Sequence, residues 1–182
     1  MSDGRGASAL QQPQPQPQPA LQRLRAMTAS DLDAVMAIET RAYDFPWSRG
    51  NFADSINAGN VAQVLADADG ALLGYFIAMP GVEEMHLLNL AVEPLLQGRG
   101  LGAVLLDAVL LAALRYGARV LWLEVRPSNP RAGALYARFG LHPVARRRDY
   151  YPALDASGNR CREDAIVMSA AVDALCRRRG VG

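Results

Sequence analysis

"EPLLQGRGLGAVLLDAVLLAALRYG", residues 93–117, sets glycines at positions 98, 100 and 102 directly before a run of strong helix formers. From Ala103 to Leu114 only Asp107 interrupts the apolar side chains. Such a run, closed by Gly117, predicts a helix from Gly100 to about Tyr116 that is buried over most of its surface. The residues before it, "VEEMHLLNLAV" (82–92), read as a strand, and so do those after it, "ARVLWLEV" (118–125). A strand, a helix and a second strand joined this way force one parallel strand pair with a right-handed crossover.

The elements outside this unit follow from periodicity and turn chemistry. "LQRLRAMT" (21–28) predicts a first strand. In "ASDLDAVMAIETRAY" (29–43), Leu32, Val35, Met36 and Ile38 recur near helical spacing behind Ser30, a candidate cap. "FPWS" (45–48) breaks that helix, and Ser48 can cap a second one over "RGNFADSINAG" (49–59). "VAQVLADADGALLGYFIAMPG" (61–81) holds two apolar runs around Asp69-Gly70, a hairpin signal. "NPRAGALYARFG" (129–140) predicts a short helix, and "LHPVARRRDYY" (141–151) and "EDAIVMSAAV" (163–172) two last strands. The order β-α-α-β-β-β-α-β-α-β-β describes one α/β domain on a mixed, mostly antiparallel sheet, expected over residues 21–175. Alternating Gln and Pro in residues 1–20 deny helix and sheet alike and predict a disordered tail. Residues 176–182 read as a short basic tail.

Composition narrows the chemistry. The chain has 182 residues, 51% of them apolar, enough for one domain with a sizeable core. A net charge of +1 argues against a general nucleic-acid binder, though Arg146-Arg147-Arg148 is either a solvated face or a contact for an acidic ligand. Cys161 and Cys176 belong to no paired motif, and His86 and His142 are the only histidines, so no metal site is expected. No stretch reaches the ~18 apolar residues of a membrane span, and no secretory signal is legible, so a cytoplasmic protein without a membrane partner is expected.

A glycine-rich turn between strand and helix is a ready anion site. The helix start leaves N–H groups without partners and carries partial positive charge, and glycines let an anion approach the backbone. Arg99 adds a guanidinium to the same turn. The spacing is neither the P-loop G-x-x-x-x-G-K-[ST] nor the dinucleotide G-x-G-x-x-G. On spacing alone the turn either holds another phosphate ligand or only turns a corner.

Here the residues meet a family. "QGRGLG" (97–102) resembles the Q/R-x-x-G-x-G/A signature of the GCN5-related N-acetyltransferases (GNATs), and the order of elements is also theirs. "RAYDFPWS", "LLNLAVEPLLQGRGLG", "LWLEVRPSN", "ALYARFG", "RRRDYYP" and "REDAIVM", taken in order, resemble the bacterial ribosomal-protein-alanine N-acetyltransferases within that superfamily. The likeness covers about residues 24–170. It implies acetyl-CoA as co-substrate, with its pyrophosphate on Gln97, Gly98, Arg99, Gly100, Leu101, Gly102 and Ala103. It also implies its thioester and pantetheine arm along the backbone of Leu90, Ala91 and Val92, with a contact from Asn129. The implied acceptor is the N-terminal alanine amine of a small-subunit ribosomal protein; the alternatives are other protein N-termini, a lysine side chain, a small amine, or a non-catalytic acyl-CoA-binding module. Gly98 stands where these relatives commonly carry a longer polar side chain.

The same resemblance assigns roles to two residues whose own pattern leaves alternatives open. Glu124 shares a strand face with Trp122 and Arg126, and is either an ion-pair partner of Arg126 or Arg99 or a general base. Tyr136 is either a core tyrosine beside Phe139 or a proton donor. The family's equivalents make Glu124 the base and Tyr136 the acid. Asn129 is an ordinary helix cap by position. His86 is a rival base that the family pattern does not require. Phe45, Trp47, Tyr150 and Tyr151 are the candidates to line an acceptor groove between "FPWS" and "RRRDYYP", where arginines can steer acidic acceptor residues.

Overall fold

The computed structural model describes residues 22–181; the Gln/Pro-rich segment lies outside them. Seven strands, β1 (Arg23–Ala26), β2 (Val61–Ala66), β3 (Leu72–Pro80), β4 (Glu84–Val92), β5 (Val120–Val125), β6 (His142–Leu154) and β7 (Arg160–Ala171), form one sheet ordered β1-β2-β3-β4-β5-β7-β6. Only β4 and β5 run parallel. Five helices accompany them: α1 (Leu32–Ala42), α2 (Arg49–Asn57), α3 (Leu101–Arg115), α4 (Pro130–Phe139) and α5 (Val172–Arg179).

The centre of the sheet is buried on both faces, while the edge strands β1 and β6 are largely exposed. Alternation along β3 sends Phe76 and Ala78 toward α3, α4 and α5, and Tyr75 and Ile77 toward α1 and α2. All four are fully buried, which is why β3 reads as a continuous apolar run rather than an alternating one. On the first side Leu105, Leu106, Val109, Leu110 and Ala113 of α3 are completely enclosed between the sheet and the two later helices.

Two expectations differ from the structure. The chain enters α1 through a 3-10 turn, Ala29–Asp31, so the cap is Thr28 rather than Ser30, whose hydroxyl only meets that of Thr28 at 2.8 Å. The basic segment from residue 176 is not a tail through Arg179 but the end of α5. Leu175 and Cys176 are buried against the core, and Arg179 holds Asp107 of α3 at 2.6 and 2.7 Å. Three successive arginines read as solvated charge, yet they lie in the last turn, where cations suit the helix dipole.

Asp31 fastens the first strand to the first helix. Its two oxygens accept from the Arg25 guanidinium at 2.6 and 2.8 Å, and one also accepts from the Thr28 amide at 2.8 Å. The Arg25 hydrogen bonds lower the carboxyl pKa to about 2, against the opposing effect of burial. A depressed folded pKa contributes stability above the unfolded value near 4, and that contribution is lost as pH falls through 2. With Arg25 half exposed, solvent screening discounts the pair to about 1 kcal/mol. Chemical denaturation of Asp31→Asn should therefore show a loss of about 1 kcal/mol at pH 7 that closes between pH 4 and pH 2. A loss that stays constant across that window would contradict the assignment.

Candidate functional site

The parallel ladder between β4 and β5 ends early. It pairs Glu84 through Leu87 with Val120 through Leu123 and stops there, although both strands continue. A bulge explains the parting. On the other edge of β4, Asn89 pairs with Ile77 and Leu87 with Ala78, so Leu88 is an extra residue. Leu88 packs on the α1 side, and Asn89 meets Glu39 of α1, so two successive residues face one way and the strand bends.

Past the bulge, β4 has one edge on β3 and one edge open. The Glu93 amide donates to Leu73 O at 2.9 Å, so by the alternation of an antiparallel ladder Ala91 also turns its backbone toward β3. Leu90 and Val92 turn theirs to the open edge. Two side chains already engage it: Tyr43 Oη donates to Leu90 O at 2.6 Å, and Gln97 Nε2 to Val92 O at 3.3 Å. With those carbonyls engaged, the N–H groups of Leu90 and Val92 face the gap. Of the three backbone positions expected to serve, Leu90 and Val92 have this orientation and Ala91 does not.

A cleft of about 950 Å³ occupies the gap. The glycine turn forms one end. Gly98 (φ +84°) and Gly100 (φ +86°) are left-handed, which a side chain would strain, and they curl the chain around the start of α3. The amides of Ala103 and Val104 donate to Gly100 O, while those of Leu101 and Gly102 have no backbone acceptor among the described residues. Gly102 also lies against α4, where a Cβ would come within 2.8 Å of Leu135 Cδ2. Arg99 is exposed and outside the cleft lining, contrary to the expected guanidinium at the turn. Arg131 and Arg138 of α4 line that end instead, with Arg131 Nη1 donating to Gln97 Oε1 at 3.1 Å. Asn129 caps α4 by accepting from the Ala132 amide at 3.0 Å, and it also lines the cleft.

Glu124 and Tyr136 reach the cleft from opposite sides of the sheet. Tyr136 belongs to the core under α3, and Glu124 alternates to the other face of β5. Both line the same space because the seam between β4 and β5 is open. Burial pushes the Tyr136 phenol up to about 12. Glu124 is 15% exposed and pairs with Arg147 of β6 at 3.3 Å, not with Arg126 or Arg99. Arg126 instead donates to Pro152 O at 2.8 Å and lies 4.2 Å from the centre of the Tyr151 ring. His86 stacks on Trp122 within the paired part of the ladder, beside Glu84, and does not line the cleft.

The other end of the cleft is aromatic. Phe45, Trp47 and Tyr151 line it together with Tyr43 and Pro152. Tyr151 gets there through an irregular stretch of β6. Register jumps from Arg147↔Ala165 to Tyr151↔Glu163, with Asp149 at φ +50° and Arg162 Nη2 donating to Tyr150 O at 2.6 Å. Tyr150 does not line the cleft; it lies edge-on to Tyr151 at 4.9 Å, with Arg147 over its ring. Burial and the nearby Glu124 carboxylate push the Tyr151 phenol well above 10. Burial also raises the Tyr43 phenol. Sequence reasoning missed Tyr43, Glu39, Arg131 and Arg147. Tyr43 follows Glu39 by one helical turn, which is the only local signal that the two share a face.

Among the described residues, no group of three or more His, Cys, Asp or Glu side chains is placed to hold a metal ion. No described helix is long and apolar enough to cross a membrane. The fold has clear counterparts among known proteins. The chain is 36% identical over 149 residues to the [ribosomal protein bS18]-alanine N-acetyltransferase of Escherichia coli, covering 82% of this chain and 97% of that one. The crystal structure of the ribosomal-protein-S18-alanine N-acetyltransferase from Escherichia coli superposes with a TM-score of 0.74 at 36% identity, over 84% of this chain and 94% of that one. A Salmonella typhimurium protein solved with its cofactor acetyl-CoA shares the fold with a TM-score of 0.67 at 20% identity, over 85% and 95% of the two chains. Residues 32–141 match the acetyltransferase (GNAT) family model, and the chain belongs to that family.

Proposed function

We propose that this protein transfers an acetyl group from acetyl-CoA to the N-terminal amine of a small-subunit ribosomal protein with an alanine first residue. The observation that carries the reading is the convergence of Glu124 and Tyr136 on one cleft beside the open edge of β4. The likeness to the bS18-alanine N-acetyltransferases supports the acceptor. The fit of acetyl-CoA rests on the left-handed glycines, the amides at the start of α3 and the Arg131 and Arg138 guanidinium groups, which together suit a pyrophosphate.

Each residue then has a physical task. The free N–H groups of Leu90 and Val92 face the thioester carbonyl and stabilise the oxyanion formed on attack. The acceptor enters past Phe45, Trp47 and Tyr151. An α-amine with a pKa near 8 is already about one-tenth neutral at pH 7, so Glu124 has only to take the proton that attack releases. Much of the rate then comes from holding two substrates in line.

Tyr136 is constrained more sharply than its residue type implied. A phenol near 12 facing a thiol that resembles cysteine, at about 8.5, makes complete proton transfer uphill by about 5 kcal/mol. Its task is to donate a hydrogen bond that stabilises the departing thiolate, which takes its proton from solvent on release.

Steady-state kinetics on a peptide panel test the reading. Peptides with the N-terminal sequence of protein bS18 should be acetylated at least about tenfold more efficiently than N-blocked lysine peptides. Equal efficiency would overturn the acceptor assignment. Glu124→Gln should lower kcat by roughly 10²–10⁴-fold while acetyl-CoA binding stays nearly intact, and unchanged turnover would remove Glu124 as base. Because the folded Tyr136 pKa lies above 10, its donor form persists through that pH, so kcat/KM should rise through about pH 8 and stay level to pH 10. A descending limb below pH 10 that vanishes in Tyr136→Phe would contradict this. Gly100→Ala, strained at φ +86°, should raise the KM for acetyl-CoA several-fold and leave the peptide KM unchanged.

A further inference from the structure

Glu39 is a carboxylate in the wrong place for a simple core. It is 1% exposed, near the end of α1, and among the described residues no cation pairs with it. An isolated buried carboxylate is costly unless its oxygens are well supplied with donors. Here three donors supply them, each from a different element of the fold. Tyr75 Oη of β3 donates to Oε2. The Trp47 amide, in the loop that carries Phe45, Pro46 and Trp47, donates to Oε1 at 2.7 Å. Asn89 Nδ2, on the bulge of β4, reaches the same oxygen at 3.3 Å.

We infer that Glu39 is a positioning residue that sets the acceptor-side wall of the cleft and the bulged strand relative to one another. The inference rests on the reading that acceptor enters past Phe45 and Trp47. A carboxylate accepts from several donors at once and donates to none, so it alone satisfies all three without reorientation. Trp47 thereby has its backbone fixed to a helix that also clamps the open strand edge: Tyr43, one turn along, holds Leu90 O at 2.6 Å. The same last turn of α1 thus controls where the acceptor backbone can lie and where the free amides of β4 point. Tyr75 completes the carboxylate's donor set from a fully buried site and is not among the residues that line the cleft. Its phenol is held far above 10 by burial and by the Glu39 charge, so it serves as a donor throughout the working pH range.

Glu39→Gln keeps the shape but turns one acceptor oxygen into a donor that faces another donor. It should raise the acceptor-peptide KM about tenfold and lower kcat, while the KM for acetyl-CoA stays within about threefold. Tyr75→Phe removes only the donor remote from the cleft, and should lower Tm while leaving both KM values within about twofold. Should Glu39→Gln fail to fold, Glu39→Asp decides: it retains charge but withdraws the oxygens by one methylene, and the acceptor KM should again rise alone. A merely structural Glu39 would lower Tm and the active fraction, hence apparent kcat, without moving either KM. That result, an equal rise in both KM values, or a Tyr75→Phe acceptor KM as high as that of Glu39→Gln, would overturn the inference. These arms require only that the wild type acetylate the peptide. If it acetylates none, the acceptor reading fails instead, a distinguishable result.

Discussion

The site depends on where β4 and β5 stop pairing. Parallel strands in a sheet covered on both faces normally keep their ladder to the end, because buried backbone groups without partners are costly. Here the ladder ends at Leu87 and Leu123, and the cost is offset locally. Tyr43 and Gln97 take two of the exposed carbonyls. The amides between them remain for a substrate. One extra residue, Leu88, converts a closed sheet into one with a slot through it, and this lets α4 contribute Tyr136 from below and β5 contribute Glu124 from above.

The elements around the slot are held by contacts distant in sequence. Ser128, just past β5, gives its amide and hydroxyl to Glu163 of β7 at 2.7 and 2.8 Å, and Arg126 reaches Pro152 of β6. The β6–β7 hairpin is thereby pinned over the end of β5, so that Tyr151 enters the cleft and Arg147 meets Glu124. α3 makes the other fixed end. Its enclosure in the core holds its N-terminal amides still, and α4, which lies against Gly102, brings Arg131 and Asn129 up to the same opening.

Local signals were legible in the chain. The Asp69-Gly70 hairpin, the Ser48 and Asn129 caps and the glycine entry into α3 each rest on a few adjacent residues, and each stands as the sequence implied, although Arg99 lies outside the cleft. Pairings between remote side chains were not. Nothing local distinguishes Arg147 from Arg126 as the partner of Glu124, or Arg131 from Arg99 as the cation at the turn. The bulge at Leu88 is marked by no glycine or proline in "HLLNLAV". Glu39 reads as a polar position on an amphipathic helix until the fold brings Tyr75, Asn89 and the Trp47 amide around it. α5 shows the limit of composition: three arginines outweigh Leu175 and Cys176 by eye, yet the two buried side chains decide the helix.

The central claim is that this cleft acetylates a ribosomal protein N-terminus through Glu124. Intact-mass measurement of small-subunit ribosomal proteins tests it directly in cells lacking this gene and in the same cells carrying the wild-type or Glu124→Gln gene. The account predicts that one alanine-starting protein loses the mass of an acetyl group in the deletion, regains it with the wild type, and does not regain it with Glu124→Gln. Identical masses in all three strains would contradict it.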